Sequence, residues 1–370
     1  MEYPIHVHDI NVKDPQVLAD PVSKKYYMYA KKFDCGVTPT ERKGTGATFY
    51  AICSEDLVTW SNPILVFEQN DFWASEDYMS PAGFYHNGKY YIIAGFSAPG
   101  RLRRLQALVS DSPLGPFVPA GEPLSPPAWQ CMDGTLYTDK KGGLWLVFAH
   151  DWVQVYDGQI AAIRVEDDLS KSIGNPMVLF RGSDAPWGDD FVWCSEEGGG
   201  AARCPWPYRM SDGSLVMIWQ NSTPYGYAIG IARSETGEIC GPWQQFDKPT
   251  YALDGAHGTL FNRLQDGMLM MACHNPGRKG INGITPGLKT LMFEMEEVYY
   301  GLIEVVNEFT GCWWMVSGGH ALPYRTPAPL TDVPTYSELR NYAGPFGNRR
   351  IKWAMAPETK YFKGKIAERD

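Results

Sequence analysis

The sequence predicts an all-β fold, a five-bladed β-propeller with a C-terminal extension, on three observations. A unit made of an apolar or aromatic pair, a tight polar turn and a second apolar run occurs five times. Each unit is followed by a third apolar run that leads into a recurring corner. Nowhere does a βαβ alternation or a sustained 3.6-residue period appear, and 38 Gly and 28 Pro among 370 residues disfavour long helices while a 44% hydrophobic content supplies a core.

The five units, in chain order, are VLADPVSKKYYMYA (17–30), FYHNGKYYIIAGF (84–96), LYTDKKGGLWLVFAH (136–150), YRMSDGSLVMIWQ (208–220) and LFNRLQDGMLMMACH (260–274). Each reads as a hairpin, because Asn-Gly and Asp-Gly supply the positive φ of tight turns and the flanking runs are rich in β-formers. The third strands and corners are ATFYAICSEDLVTW, LQALVSDSPLGPF, AAIRVEDDLS, AIGIARSETGEICGPW and LMFEMEEV. Starts at 17, 84, 136, 208 and 260 space the units 52 to 72 residues apart, which suits four short strands plus loops. Similar sheets that cannot bury both faces alone pack radially. A β-sandwich lacks so long and regular a unit. The expected division is a propeller over residues 1–300 and an extension, 301–370, packed on it by its apolar clusters.

In a propeller the first strand of every blade runs along the axis. Residues about four positions ahead of each hairpin's apolar pair therefore converge: Asp14, Ser80 with Pro81, Asp133, Arg203 with Cys204, and His257. The net charge of −9 argues against nucleic acid or an anionic membrane as partner. No apolar run reaches the roughly 18 to 20 residues that span a bilayer. The start, MEYPIHVHDI, lacks the basic-then-apolar order of a signal peptide. Eight cysteines at least ten residues apart, without zinc-type spacing, read as reduced and mostly buried. The expected location is therefore cytoplasmic, and a neutral or weakly polar ligand such as an oligosaccharide is the expected partner.

Two axial carboxylates suit hydrolysis of a glycosidic bond, which needs one group to activate water and one to protonate the leaving oxygen. Asp14 is the candidate base; an Asp before Pro also fits a turn cap. Asp133 fits a neighbour that raises another carboxyl's pKa or binds a sugar hydroxyl, and equally an Asp-Gly turn. Trp73, Trp152 and Trp206 are placed at the pocket rim, where an indole stacks on a sugar ring, although most of the 50 aromatics must pack between blades.

Taken together and in order, DP at 14–15, DGTLY, HDWVQVYDG, SDSPLGPF, SDAPW, AIGIARSETGEICGPW, HGTLF and FEMEEV resemble glycoside hydrolase family 43 over roughly residues 8–300. The resemblance implies the propeller reached above and inverting, exo-type release of arabinofuranosyl, xylosyl or galactosyl residues by a base, a pKa modulator and a general acid. Asp14 matches the base and Asp133 the modulator. The acid does not carry over: Arg203 stands in its place, and a guanidinium cannot donate a proton near neutral pH. Arg203 is instead expected to bind substrate, for which an anionic group suits it. Glu196 and Glu197, beside Gly198-Gly199-Gly200, are the candidates for a displaced acid, or else solvated loop residues. Ser80-Pro81-Ala82 and Leu288-Lys289-Thr290 also depart from the family pattern. His257 matches an axial histidine that in many relatives faces a calcium or a water cluster, so a structural calcium near the axis is implied, with no cofactor required for the chemistry. A lone His is equally a satisfied core residue. A catalytically silent or acid-less propeller that binds carbohydrate is the second reading. Oligomeric state is not legible.

Overall fold

The computed structural model describes residues 3–33, 35–36, 47–69, 72–188, 200–223, 226–247, 249–251, 255–275, 289–298, 301–305, 312–316 and 321–325. Among them, five antiparallel sheets follow one another in sequence, each a meander that starts at one edge and ends at the other. The first has strands Val17–Ala19, Tyr26–Ala30, Ala47–Ser54 and Ile64–Gln69, extended by Thr59–Trp60 and the N-terminal Ile5–His6. The second runs Glu76–His86, Lys89–Ala98, Arg101–Ser110, Val118–Pro119, and the third Cys131–Thr138, Leu144–His150, Gln159–Val165, Ser172–Arg181. The fourth runs Arg203–Arg209, Leu215–Thr223, Gly226–Ser234, Trp243–Gln245, and the fifth Ala256–Asn262, Leu269–Asn275, Lys289–Val298, Gly301–Val305.

Each repeated hairpin of the sequence is thus the first and second strand of one sheet. The turn chemistry holds as well: Asn87 and Gly88 both take positive φ (46° and 79°), as a tight two-residue hairpin requires.

Period-two alternation makes the sheets pack on both sides. In the second sheet, Tyr90, Ile92, Ala94 and Phe96 pack with Tyr27, Tyr29 and Phe49 of the first, while Tyr91 and Ile93 pack with Leu146 and Phe148 of the third. Val147 and Ala149 meet Met217 and Trp219, and Val216 and Ile218 meet Leu260, Met271 and Cys273. The last interface joins the ends of the circle: Phe261, Met270, Ala272 and Met292 pack with Tyr26, Met28, Tyr50 and Ile52. Five sheets with five apolar interfaces form a closed ring, a β-propeller, whose first strands touch in the order one to five and back to one. Closure buries the faces that an open stack of sheets leaves wet.

The fifth sheet crosses residue 300, since Gly301–Val305 pairs with Lys289–Val298 and supplies its fourth strand. Beyond it, Cys312–Val316 and Ala321–Arg325 form a separate hairpin. The rest of the expected extension lies outside the described residues. Among the described residues, helix is confined to one turn, Trp152–Val155, capped by the Asp151 carboxylate, and two short 3-10 turns.

Candidate active site at the propeller axis

Asp14, Ser80, Asp133, Cys204 and His257 occupy equivalent places at the heads of the five sheets, and all five take left-handed backbone, with φ between 49° and 58°. In sheets two to five the strand register shifts at this point, between Met79 and Ala82, Met132 and Thr135, Arg203 and Trp206, and Ala256 and Thr259. The shift is a β-bulge, which turns one side chain out of the pleat. Each such non-glycine residue costs of order 1–3 kcal/mol, a strain that persists only where the surrounding structure over-determines it. Pro15, Pro81, Gly134, Pro205 and Gly258 follow the five in turn, so the pattern is written in the sequence as an axial residue before Pro or Gly.

The five side chains meet. The Ser80 hydroxyl donates to Asp14 Oδ2 at 2.8 Å. His257 Nδ1 lies 3.5 Å from Asp14 Oδ1 and 3.9 Å from Asp133 Oδ1, so the two carboxylates flank one imidazole nitrogen. Cys204 Sγ stands 2.9 Å from that same nitrogen and donates to Asp133 Oδ2 at 3.2 Å, the distance at which the Cys204 amide also donates to it. A small pocket, with room for about one water, opens here, lined by Ser80, Asp133, Thr135, Cys204, Trp206, His257 and Thr259 among others.

Burial would push the Asp14 carboxyl up, but the His257 and His274 rings, Lys13 and the Ser80 hydroxyl outweigh it and hold the pKa at about 2. Asp14 is therefore an anion at any physiological pH. Burial drives His274 the other way, to about 4, against the pull of Asp14. That ring is neutral, in keeping with the Asp14 amide donating to its Nδ1 at 3.1 Å. Burial, then the Asp133 and Asp14 carboxylates, push the Cys204 thiol well above its ordinary value.

Of the pair Arg203 and Cys204, Cys204 takes the axial place and Arg203 turns aside to Asp151, Nη2 to Oδ1 at 3.5 Å. Arg103, from the second sheet, holds the other oxygen of Asp151 at 3.3 Å. Burial opposes the Arg203 charge, yet Asp133 and Asp151 more than compensate and raise its pKa. The residue in the acid's place is a permanent cation. Glu196 and Glu197 lie outside the described residues.

The tryptophans part company. Trp206 lines the cavity and stacks on Phe84 from the second sheet, centroids 5.9 Å apart, so it reaches into the axis and not only to the rim. Trp152 opens the helical turn directly after Asp151. Trp73 packs beside Phe72 between the first and second sheets, its indole N–H donating to Gln106 at 2.6 Å, and it does not line the cavity.

Three residues escaped the sequence reading although a signal existed. His150, Gln220 and His274 close the apolar runs of the second strands of sheets three, four and five, opposite Cys131, Arg203 and Ala256. Gln220 Oε1 accepts the His257 amide at 2.6 Å and lies 3.5 Å from Cys204 Sγ, so the polar residue that closes an apolar run marked one that holds the backbone of the axial histidine.

The family model for glycosyl hydrolases family 43 matches residues 4–296. Among solved structures, an endo-arabinase from Bacteroides thetaiotaomicron VPI-5482 is similar at 32% identity and a TM-score of 0.70, over 81% of this chain and 99% of that one. A thermostable family-43 glycoside hydrolase shares the fold at 18% identity and a TM-score of 0.67, over 86% and 96% of the two chains. A β-xylosidase/α-arabinofuranosidase from a compost microbial metagenome does so at 17% identity and 0.59, over 83% and 97%. No curated protein matches the chain.

Proposed function

The chain belongs to glycosyl hydrolases family 43 and is a glycoside hydrolase, and from that premise we propose that Asp14 is its general base, acting by inversion to release terminal arabinofuranosyl, xylosyl or galactosyl residues from plant-type oligosaccharides. The observation that carries this reading is the state of Asp14: a buried carboxylate at the axis, held ionised beside the His257 ring and the Ser80 hydroxyl next to a small pocket. An ionised carboxylate accepts the proton of a water that attacks the anomeric carbon, and the pair of electrons of the breaking C–O bond leaves with the leaving oxygen. Asp133, across His257, is the modulator and an acceptor for sugar hydroxyls. The leaving oxygen needs a proton, which we assign to Glu196 or Glu197.

Arg203 favours a second reading, in which no protein acid acts and only good leaving groups depart, since the place matched to the acid holds a cation tied to Asp151. Paired substrates separate the two. On the first reading both an aryl arabinofuranoside with an activated leaving group and a natural arabino- or xylo-oligosaccharide are cleaved, and Glu196→Gln or Glu197→Gln slows the natural substrate far more. On the second, the aryl glycoside alone is cleaved and neither change matters. In both, Asp14→Asn lowers kcat by about 10²–10⁴-fold. An unchanged rate on both substrates removes Asp14 from the role of base. Monosaccharide as the sole early product supports terminal release, whereas a ladder of oligosaccharides, the behaviour of an endo-arabinase, overturns it.

A further inference from the structure

We propose that Asp133, Cys204 and His257 form a site for a borderline-soft divalent cation of the zinc type at the propeller axis, with a fourth coordination position opening into the axial cavity. The three residues come from consecutive sheets, and their Oδ, Sγ and Nδ1 atoms all lie within 4.8 Å of one another. The separations are 2.9 Å for Sγ to Nδ1, 3.2 Å for Sγ to Oδ2 and 3.9 Å for Nδ1 to Oδ1. A tetrahedral zinc with Zn–S near 2.3 Å and Zn–N and Zn–O near 2.0–2.1 Å needs ligand edges of about 3.3–3.6 Å. Against that face the Sγ to Nδ1 edge is about 0.6 Å short and the Nδ1 to Oδ1 edge about 0.5 Å long, so binding requires the side chains to shift by about half an ångström and a single Asp133 oxygen to turn toward both partners.

Donor chemistry separates this site from the calcium that the family resemblance implies near His257. Calcium takes six to eight oxygen ligands. A thiol and an imidazole facing the cation fit it poorly, whereas nitrogen, sulfur and carboxylate together are a zinc set. The charge balances too: a dication with one thiolate, one carboxylate and a neutral imidazole sums to zero, which a buried site requires. Binding breaks the Cys204 S–H bond, the electron pair staying on sulfur to bind the metal and the proton passing to solvent. The second shell is in place, with Gln220 holding the His257 amide and facing Cys204, and Asp14 3.5 Å from the imidazole nitrogen. The small pocket lined by Ser80, Thr135 and Thr259 among others supplies room for about one water at the fourth position.

Cobalt(II) tests this on the full chain without reference to turnover, so that failure here leaves the hydrolytic reading untouched. Titration of metal-stripped protein is expected to show one equivalent bound, a near-ultraviolet thiolate-to-cobalt charge-transfer band, displacement by zinc and none by millimolar calcium. Cys204→Ser is expected to abolish the band and weaken cobalt binding by at least about 100-fold, while Cys240→Ser, which removes an exposed thiol, keeps both. A saturated wild-type protein without the band, a band that survives Cys204→Ser, or displacement by calcium overturns the site. Should Cys204→Ser fail to fold, the wild-type spectrum and its competition with calcium decide alone. A thiol that merely bridges Asp133 and His257 by hydrogen bonds gives no band.

Discussion

His274 shows how one buried side chain sets the response of the whole protein to acid. Its pKa falls to about 4 from 6.5 because burial disfavours the charged ring. Between those values the unfolded chain binds a proton that the folded protein refuses, so stability is fully present above about 6.5 and drains as pH falls toward 4, by about 3 kcal/mol. Asp14 acts further down with the same sign. Its carboxyl is depressed to about 2, so its contribution is present above its ordinary value near 3.8 and is lost as pH falls through 2. Thermal melts from pH 7.5 to 4 should therefore slope downward toward acid, and His274→Gln, which keeps an acceptor for the Asp14 amide, should flatten the upper part of that slope. A wild-type profile level between pH 6.5 and 4 would contradict the assignment. Arg203 carries the second prediction at this scale. Arg203→Gln leaves Asp151 paired with Arg103, so folding should survive with a loss near 1 kcal/mol or less in denaturant titration, while KM for an oligosaccharide should rise if the guanidinium holds substrate.

At the scale of elements, the blades depend on close approach of neighbouring sheets. Gly83 lies in the first strand of the second sheet, and a Cβ there would stand 2.2 Å from Tyr29 Cε2 and 2.6 Å from its Cδ2. Tyr29 is fully buried, with its hydroxyl donating to the Pro113 carbonyl at 2.8 Å, so the ring cannot retreat. Gly83 also exchanges two hydrogen bonds with the Gln16 side amide, at 2.7 and 3.0 Å, which lace the first two sheets together near the axis. Gly83→Ala should cost about 1–3 kcal/mol by overpacking, read as a lower denaturant midpoint. At Gly88 nothing lies within 4 Å and only the turn's positive φ is at stake, so Gly88→Ala should cost about 1 kcal/mol or less. Equal losses at the two sites would refute the packing argument.

For the whole molecule, closure of the ring is the decisive event. The first and fifth sheets are the most distant in sequence, yet Met270, Ala272 and Met292 pack into the Tyr26, Met28 and Ile52 core, and Thr259 donates to the Pro15 carbonyl at 3.1 Å. Met270→Ala should cost about 2–5 kcal/mol and should lower the single unfolding transition of the ring as a whole. A separate early transition confined to the fifth sheet would show instead that the sheets unfold independently.

Much of this was legible in the chain. Turn residues and alternating apolar runs are local properties, so five hairpins, and with them the propeller, could be read from residues 17–274. Counting back from each hairpin found Asp14, Asp133 and His257, because a strand of fixed rise puts equivalent positions at equivalent depth. The same count left Ser80 tied with Pro81 and Arg203 tied with Cys204. A one-residue step changes the face of a strand, and the bulge that sends Cys204 to the axis and Arg203 to Asp151 is a matter of register between strands. His274 and Gln220 stayed hidden because they lie on second strands, next to the axial residues only once the hairpins have closed.

The sequence by itself determined the fold class, the family and the carboxylates at the axis, since periodicity, turn chemistry and motif order are properties of neighbours along the chain. Only the tertiary structure decided which partners those carboxylates have. A serine, a cysteine and two histidines from other sheets meet Asp14 and Asp133 because five bulged strands converge on one line, and the depressed pKa of Asp14, like the sulfur–nitrogen–oxygen set around Cys204, exists only where residues as far apart as 14 and 274 are brought within 4 Å.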